Sequence, residues 1–314
     1  MSNQLNILVT GGAGFLGSHL CKVLLKDNHK VFCLDNFYSS NKTNIGKLEN
    51  HSNFTFLNQD VCHLNINFAI DQIYNLACPA SPIHYQLDPV KTIQTNILGS
   101  INVLELAKKN SAIILQASTS EVYGDPMINP QKEDYWGNVN PIGMRACYDE
   151  GKRAAETLFF DYHRQYKQKI KVARIFNTYG PKMQKDDGRV ISNFIVQALT
   201  GESLTIYGDG SQTRSFCYVD DLIEGLIKFM NKTDDSTGPL NLGNDSELSI
   251  LDIAKKIIEL SNSKSSIKHL DSLPDDPIQR KPDLSLANQL IGWAPNTELE
   301  VGILSTIKYF KTII

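Results

Sequence analysis

Short apolar runs alternate with helix-like segments through the first part of the chain, up to about residue 178. Leu5–Thr10 is a run of this kind and suits a strand that is buried on both faces. Phe15–Asp27 then carries apolar residues at helical spacing. Because crossover helices join parallel strands, this alternation predicts an α/β fold, a doubly wound parallel sheet covered on both sides. Further strands are predicted at Lys30–Leu34, Phe54–Leu57, Ile73–Ala77, Ala112–Ser118 and Ile170–Phe176, and long helices at Pro89–Lys109 and Arg145–Tyr166.

The pattern loosens in the second part of the chain, where Gly180-Pro181 and residues 186–188 mark loops. Residues 270–283 are rich in proline and aspartate, which also indicates a loop. We therefore expect a smaller C-terminal α/β lobe, with residues 1–178 plus 213–243 as the main domain and residues 179–212 plus 244–314 as the lobe. Helices are predicted at Val190–Thr200, Asp220–Asn231 and from a cap at Ser249 to about Asn262, and a strand at Leu240–Leu242.

Composition excludes several functional classes. The formal charge of −3 over 314 residues does not favour general binding to nucleic acid or to an anionic membrane. No apolar stretch approaches the roughly 18 residues of a membrane span. The 6 cysteines show no CxxC spacing and the 7 histidines are scattered, so no metal site is predicted. Free thiols of this kind are typical of a reducing compartment, and we expect a cytoplasmic protein.

A glycine-rich turn lies between the first predicted strand and the first predicted helix. Gly11, Gly14 and Gly17 let the backbone turn tightly and approach a pyrophosphate, which then rests on the helix N-terminus. A ligand-free glycine turn is the alternative, but Asp35 ends the second predicted strand, where a carboxylate binds the adenosine ribose. An acidic group there repels a 2′-phosphate. The pattern therefore predicts a Rossmann-like domain that binds NAD rather than NADP.

Tyr148 and Lys152 are one helical turn apart on the predicted helix Arg145–Tyr166. A nearby ammonium group lowers the pKa of a tyrosine, which would make Tyr148 a better base. Thr119 follows the predicted strand Ala112–Ser118, at the sheet edge where ligands of open α/β sheets bind. An ordinary exposed Tyr–Lys pair is the alternative. Together with the glycine turn, however, these residues predict an oxidoreductase site.

With these motifs in place, the chain resembles the extended short-chain dehydrogenase/reductases that act on nucleotide sugars. Among them it is most similar to the UDP-glucuronate decarboxylases, from about Asn6 to Pro295. The glycine triplet identifies only the superfamily, whereas the segment around Tyr148 is much narrower. The resemblance lies in residues 76–82, 118–126, 145–153, 173–181 and 279–283.

The resemblance implies a homodimeric enzyme that uses NAD to convert UDP-glucuronate to UDP-xylose through a 4-keto intermediate. It implies that Tyr148 takes the proton of the sugar C4 hydroxyl beside Thr119, while Lys152 holds the nicotinamide ribose. It places Glu121, supported by Ser120, near C5 and Arg280 at the sugar carboxylate. The other implied cofactor-binding residues are Gly11, Gly14, Phe15, Leu16, Gly17, Asp35, Asn36, Asp60, Val61, Leu76, Ala77, Thr178 and Arg189, and the other implied substrate-binding residues are Pro82, Asn177, Asn193, Tyr207 and Arg214.

Several alternatives remain open at this point. Ser120 stands where the 4,6-dehydratases of this family carry aspartate, and the 4-epimerases generally lack a residue like Glu121, so both residues argue against those two activities. A non-catalytic dinucleotide sensor on the same fold is a further alternative. Glu121 could instead be a surface carboxylate, and Arg214 could form a surface salt bridge. Arg280 could pair with Asp275 or Asp276 in its loop.

Overall fold

The computed structural model describes residues 4–271 and 279–314 of the chain. Within them, seven parallel strands form the main sheet in the order β11-β6-β5-β4-β1-β2-β3. The strand order reverses direction beside β1, as expected for a doubly wound sheet. These strands are β1 (Asn6–Thr10), β2 (Lys30–Asp35), β3 (Phe54–Asn58), β4 (Gln72–Asn75), β5 (Ile113–Thr119), β6 (Ile170–Ile175) and β11 (Leu240–Leu242).

Helices cover both faces of this sheet because successive side chains of each strand point to opposite sides. On β1, Ile7 and Val9 pack into one apolar core, and Leu8 packs into another. The predicted α/β fold with a Rossmann-like sheet is confirmed. The helices are α1 (Phe15–Lys26), α2 (Pro82–Leu87), α3 (Pro89–Asn110), α4 (Ala146–Tyr166), α5 (Val190–Thr200), α6 (Val219–Met230), α7 (Ile250–Ser261), α8 (Ser285–Ile291) and α9 (Leu299–Phe310).

A third apolar core lies in the C-terminal part of the chain, between α5, α7 and α9. Phe194, Ile253 and Ile303 contribute to it from these three helices, and all three are buried. The predicted cap at Ser249 is present, since its hydroxyl accepts a hydrogen bond from the Asp252 amide at 3.0 Å. The short strands here are β7 (Thr178–Tyr179), β8 (Leu204–Tyr207), β9 (Thr213–Ser215), β10 (Cys217–Tyr218), β12 (Glu247–Ser249), β13 (Ile267–Leu270) and β14 (Gln279–Arg280).

The loop predicted over residues 270–283 lies only partly within the described residues. Asp275 and Asp276 are outside them. Residues 279–280 are not loop but strand β14, which pairs in parallel with β9 and aligns Arg280 with Arg214. Among the described residues, no helix has the length and apolar character that crossing a membrane requires.

Candidate active site

A cleft of about 630 Å³ opens at the carboxyl ends of β1, β2, β4, β5 and β6, and the short strands β8 and β9 form its far wall. Ligands of open α/β sheets bind at this edge. Every site residue that the sequence predicted lines this cleft. They are Gly11, Gly14, Phe15, Leu16, Gly17, Asp35, Asn36, Asp60, Val61, Leu76, Ala77, Pro82, Thr119, Ser120, Glu121, Tyr148, Lys152, Asn177, Thr178, Arg189, Asn193, Tyr207, Arg214 and Arg280.

The glycine turn brings helix α1 close to β1 and β4. Gly11 has a φ of +66°, a left-handed conformation that favours glycine. A Cβ on Gly17 would lie 2.2 Å from the carbonyl oxygen of Gly11, so no larger residue fits there. Gly14 is the N-cap of α1 and has no side chain to cap the helix. The first amides of α1 therefore face the cleft as an anion site, which suits a pyrophosphate.

Asp35, at the end of β2, is fixed by the backbone of the glycine turn. Its Oδ2 accepts a hydrogen bond from the Ala13 amide at 3.0 Å. Its Oδ1 accepts bonds from the Phe37 amide at 2.9 Å and from the Ser40 hydroxyl at 2.7 Å. A carboxylate can accept about four hydrogen bonds, so this arrangement leaves acceptor capacity for a ribose hydroxyl.

Tyr148 and Lys152 lie on helix α4 and are both buried. The Lys152 Nζ donates to the Ala117 carbonyl at 2.9 Å and lies 5.8 Å from the centre of the Tyr148 ring. The Tyr148 ring stacks on that of Tyr85, with the ring centres 5.0 Å apart. These contacts hold the Tyr148 hydroxyl at the floor of the cleft, near Thr119.

The electrostatics of Tyr148 differ from the sequence-based expectation. Burial raises the pKa of Tyr148 well above its usual value, although a hydrogen bond with Thr119 opposes this shift. Burial also lowers the pKa of Lys152. The structure therefore does not show the expected lowering of the Tyr148 pKa by Lys152, because the ammonium group donates to the Ala117 carbonyl instead of the phenol.

Glu121 lies between two arginines. It belongs to a short 3-10 helix, Ser120–Tyr123, that follows β5, and Thr119 Oγ1 accepts a hydrogen bond from its amide at 3.2 Å. Its Oε1 accepts from Arg280 Nη1 and its Oε2 accepts from Arg145 Nη2. Burial opposes ionisation, but Arg280 and Arg145 hold the pKa of Glu121 well below its usual range. Glu121 is therefore a half-buried carboxylate, 14% exposed, that is held by two arginines.

Arg280 is 3% exposed, and β14 holds it opposite Arg214 on β9. Arg214 is also buried and donates to the Thr213 carbonyl at 2.9 Å. The alternative of a surface salt bridge at Arg214 is therefore not supported. Two guanidinium groups on neighbouring strands therefore line the same cleft.

The remaining predicted lobe residues also line the cleft. Arg189 is the N-cap of α5 and forms two hydrogen bonds with Asp187, of which the longer is 2.7 Å. Asn193 lies one turn further along α5. Tyr207 ends β8 and is 40% exposed, which leaves its ring accessible to a ligand. The Arg189 guanidinium group lies 5.6 Å from the centre of the Phe15 ring, at the start of α1.

Among the cleft residues that were not assigned to the site from the sequence, two contact its candidate catalytic residues. Arg145 precedes Tyr148 by one turn of α4 and contacts Glu121. The spacing of three residues between Arg145 and Tyr148 could have assigned Arg145 to the site, because residues at that spacing share a helix face. Tyr85 belongs to helix α2, which was not predicted because its six residues are too short for a clear periodicity.

A parallel sheet with a glycine-rich turn, and a buried tyrosine and lysine one turn apart beside it, define a dinucleotide-binding α/β protein of the short-chain dehydrogenase/reductase type. The chain belongs to the NAD dependent epimerase/dehydratase family, whose family model matches residues 7–243. The prediction of an NAD-dependent family of this type is confirmed.

Curated relatives are similar over nearly the whole chain. The chain is 54% identical over 302 residues to UDP-glucuronic acid decarboxylase 6 of Arabidopsis thaliana. The aligned residues cover 96% of this chain and 87% of that protein. It is 53% identical over 305 residues to UDP-glucuronic acid decarboxylase 1 of Danio rerio, covering 97% and 72% of the two chains.

Solved structures share the fold over its full extent. A UDP-glucuronic acid 4-epimerase from Bacillus cereus, in complex with UDP-glucuronic acid and NAD, is 32% identical with a TM-score of 0.89, covering 99% of this chain and 100% of that one. A UDP-N-acetylglucosamine 4-epimerase from Methanobrevibacter ruminantium M1, in complex with UDP-N-acetylmuramic acid, is 29% identical with a TM-score of 0.92, covering 100% of both chains.

Proposed function

We propose that this protein is an NAD-dependent decarboxylase that converts UDP-glucuronate to UDP-xylose. The observation that carries the proposal is the position of Arg280, a buried guanidinium group that lies in the same cleft as Tyr148 and Thr119. A sugar whose C4 hydroxyl contacts Tyr148 presents its C5 carboxylate nearby, and a guanidinium group binds a carboxylate through two parallel hydrogen bonds. The UDP-glucuronic acid decarboxylase relatives support the same substrate.

The residues that would hold NAD lie in the N-terminal half of the chain. The glycine turn and the first amides of α1 would bind the pyrophosphate, and Asp35 would accept hydrogen bonds from the adenosine ribose. Asp35 would also repel a 2′-phosphate, which favours NAD over NADP. Lys152 would hold the nicotinamide ribose. When bound, NAD supplies the reversible oxidation at the sugar C4 carbon.

The residues around Tyr148 account for the chemistry at C4 and C5. Tyr148, hydrogen-bonded to Thr119, would take the proton of the C4 hydroxyl as the carbon is oxidised. The resulting β-keto acid can lose its carboxylate as CO2, because the electron pair of the C5–C6 bond moves onto the C4 oxygen. Tyr148 and Thr119 would stabilise the enolate at that oxygen. Glu121, or a water that it positions with Ser120, would then protonate C5. UDP-xylose would form when C4 is reduced again and Tyr148 returns its proton to the C4 oxygen, so that no NAD is consumed overall.

The uridine diphosphate would be held by the far wall of the cleft. Arg214 supplies a positive charge from β9, and Asn177 and Asn193 supply hydrogen-bonding amides. The exposed ring of Tyr207 offers a surface for the uracil base, and Pro82 lies beside the sugar position. Arg189 would contact a phosphate of the nucleotide or the cofactor.

One alternative is 4-epimerisation of the same substrate. The Bacillus cereus structure that resembles this chain is a UDP-glucuronic acid 4-epimerase. Incubation of the purified protein with UDP-glucuronate separates the two activities, with CO2, UDP-sugars and NADH measured together. Decarboxylation releases CO2 and a UDP-pentose. Epimerisation releases no CO2 and yields a UDP-hexuronate, which would contradict the proposal.

We also propose that residues 1–178 plus 213–243 form the NAD-binding domain and residues 179–212 plus 244–314 the UDP-sugar-binding lobe. The pairing of β11 with β6 and the separate core of α5, α7 and α9 support this division.

Within the same proposal, the protein acts as a cytoplasmic homodimer. Exposed apolar side chains on helix α3, such as Val90 at 62% exposure and Leu98 at 46%, offer a surface for a second copy. The 6 cysteines are free thiols, which is typical of proteins in a reducing compartment.

A further inference from the structure

Arg280 has a carboxylate partner within the protein itself. Glu121 Oε1 accepts a hydrogen bond from Arg280 Nη1, and the side chain of Arg280 is 4% exposed. Arg280 Nη2 donates to the Gly124 carbonyl at 3.3 Å, and its buried Nε has no partner within the described residues. Glu121 therefore occupies the guanidinium edge that the proposed function assigns to the sugar carboxylate.

Two carboxylates cannot both occupy that edge of one guanidinium group without strong mutual repulsion. A uronate that binds Arg280 must therefore displace Glu121 from it. Glu121 does not lose all its partners in this exchange, because its Oε2 accepts from Arg145 Nη2. Arg145 is in turn held by Asp149, whose Oδ2 lies 3.9 Å from Arg145 Nε.

We propose that Arg145 is a positioning residue, which keeps Glu121 beside the sugar when the substrate carboxylate takes over Arg280. This inference rests on the proposed function, since it assumes a substrate that carries a carboxylate. In this arrangement Glu121 is an internal competitor for Arg280 in the free protein. Arg145 lowers the free-energy cost of displacing Glu121 from Arg280. With Arg145 present, the displaced carboxylate keeps one arginine partner, whereas without Arg145 it would keep none.

The exchange also fits the acid role of Glu121. Arg280 and Arg145 lower the pKa of Glu121 in the free protein, although burial opposes them. Among the described residues, the other titratable groups that act on this cluster include Asp149, Glu150, Tyr85, Cys147 and Tyr148. Loss of Arg280 to the substrate and the arrival of a second carboxylate would both raise the pKa of Glu121. A carboxyl group with a higher pKa is a better donor for the proton that C5 needs.

A double-mutant cycle tests this proposal by binding alone. The NAD-loaded protein carries Tyr148→Phe throughout, so that bound substrate is not consumed, and calorimetry gives the Kd of UDP-glucuronate and of UDP-glucose, which lacks the carboxylate. We expect Glu121→Gln to lower the Kd of UDP-glucuronate about tenfold, because the Glu121 carboxylate no longer competes with the substrate carboxylate for Arg280. We expect Arg145→Gln to weaken it about tenfold, because Glu121 then has only Arg280.

The combined variant distinguishes positioning from direct contact. With Glu121→Gln already present, Arg145→Gln should no longer weaken UDP-glucuronate binding, since no carboxylate remains to be positioned. UDP-glucose should bind equally to all variants. Arg164→Gln, on the same helix, is the matched control, because Arg164 forms an exposed pair with Asp161. This variant should leave both Kd values unchanged.

Each other result overturns the proposal. If Arg145→Gln weakens binding equally with and without Glu121, Arg145 contacts the substrate directly. If it weakens UDP-glucose as much as UDP-glucuronate, Arg145 is merely structural, and if it changes neither Kd, the exchange does not occur. Release of CO2 by the unmutated protein is measured in parallel, so that failure of the proposed function is recognised separately.

Discussion

Tyr148 is the residue on which the chemistry at C4 depends. We expect Tyr148→Phe to retain NAD and lose turnover by at least about 10²–10⁴-fold, the usual contribution of general acid–base catalysis. The stacking on Tyr85 does not need the hydroxyl, so the fold should be preserved. The rate of CO2 release measures the loss of turnover, and the NAD content of the purified variant measures the retention of the cofactor. Tyr166→Phe, on the exposed face of the same helix, is the control; near-normal CO2 release from Tyr148→Phe would place the base elsewhere.

Arg280 should determine the preference for a substrate with a carboxylate. We expect Arg280→Leu to lower kcat/KM for UDP-glucuronate roughly ten- to hundredfold, as for the loss of a charge-assisted hydrogen bond, and to leave the Kd of UDP nearly unchanged. Arg280→Lys should rescue little, because an ammonium group lacks the planar fork of the guanidinium group. Equal losses in kcat/KM and UDP affinity would instead make Arg280 a diphosphate-binding or structural residue.

Asp149 should make the stability of the protein depend on pH. Burial and the nearby Glu121 raise its pKa to about 7, although Arg145 opposes this, and its Oδ1 is buried without a partner within the described residues. Because the folded protein holds this proton more tightly than the unfolded chain, the contribution to stability is full below about pH 4 and is lost as the pH rises through 7.

Asp149→Asn should therefore increase the free energy of unfolding by about 1–3 kcal/mol at pH 8, since each pKa unit corresponds to about 1.4 kcal/mol. At pH 4 the gain should largely disappear. Urea unfolding of the NAD-free protein at both values measures this. An equal change at pH 4 and pH 8 would mean that titration of Asp149 is not its cause.

At the scale of secondary structure, the main sheet and the lobe helices α5 and α7 were largely predictable, and the short strands of the lobe were not. Strand β11 lies at the predicted residues, and β4 ends earlier than predicted, at Asn75, because the Ala77 amide turns to the hydroxyl of Thr10 at 3.3 Å. Strands β9, β12 and β14 have only two or three residues each, so no periodicity identifies them. The positions of Arg214 and Arg280 depend on these strands, and their alignment required the structure.

Gly17 lies at the start of α1, where the helix packs closely against the glycine turn. We expect Gly17→Ala to weaken NAD binding and to lower the free energy of unfolding by more than about 1 kcal/mol, because its Cβ would overlap the Gly11 carbonyl. Gly46→Ala is the matched control, since the nearest atoms to a Cβ there are 3.9 Å away. Calorimetric titration with NAD and urea unfolding measure the two effects. Unchanged NAD affinity in Gly17→Ala would show that the close approach is not needed for the cofactor site.

At the scale of the whole molecule, the cleft brings together residues that are far apart in the chain. Glu121 on the main sheet contacts Arg280 across a separation of 159 residues. The individual residues could be predicted from short motifs and family resemblance. Their ion pairs could not, because a sequence pattern does not tell which arginine a buried carboxylate selects. For the same reason Arg145 was identified only from the structure.

The most direct test of decarboxylation is the fate of the carboxylate carbon when the protein converts UDP-glucuronate in D2O. We expect one CO2 for each UDP-xylose formed, a single deuterium at C5 from the proton donor, and no net reduction of NAD. NMR of the product measures the deuterium at C5, and CO2 and NADH are measured in the same reaction. A product that keeps the carboxylate carbon and carries no deuterium at C5 would contradict decarboxylation and identify the reaction as epimerisation at C4.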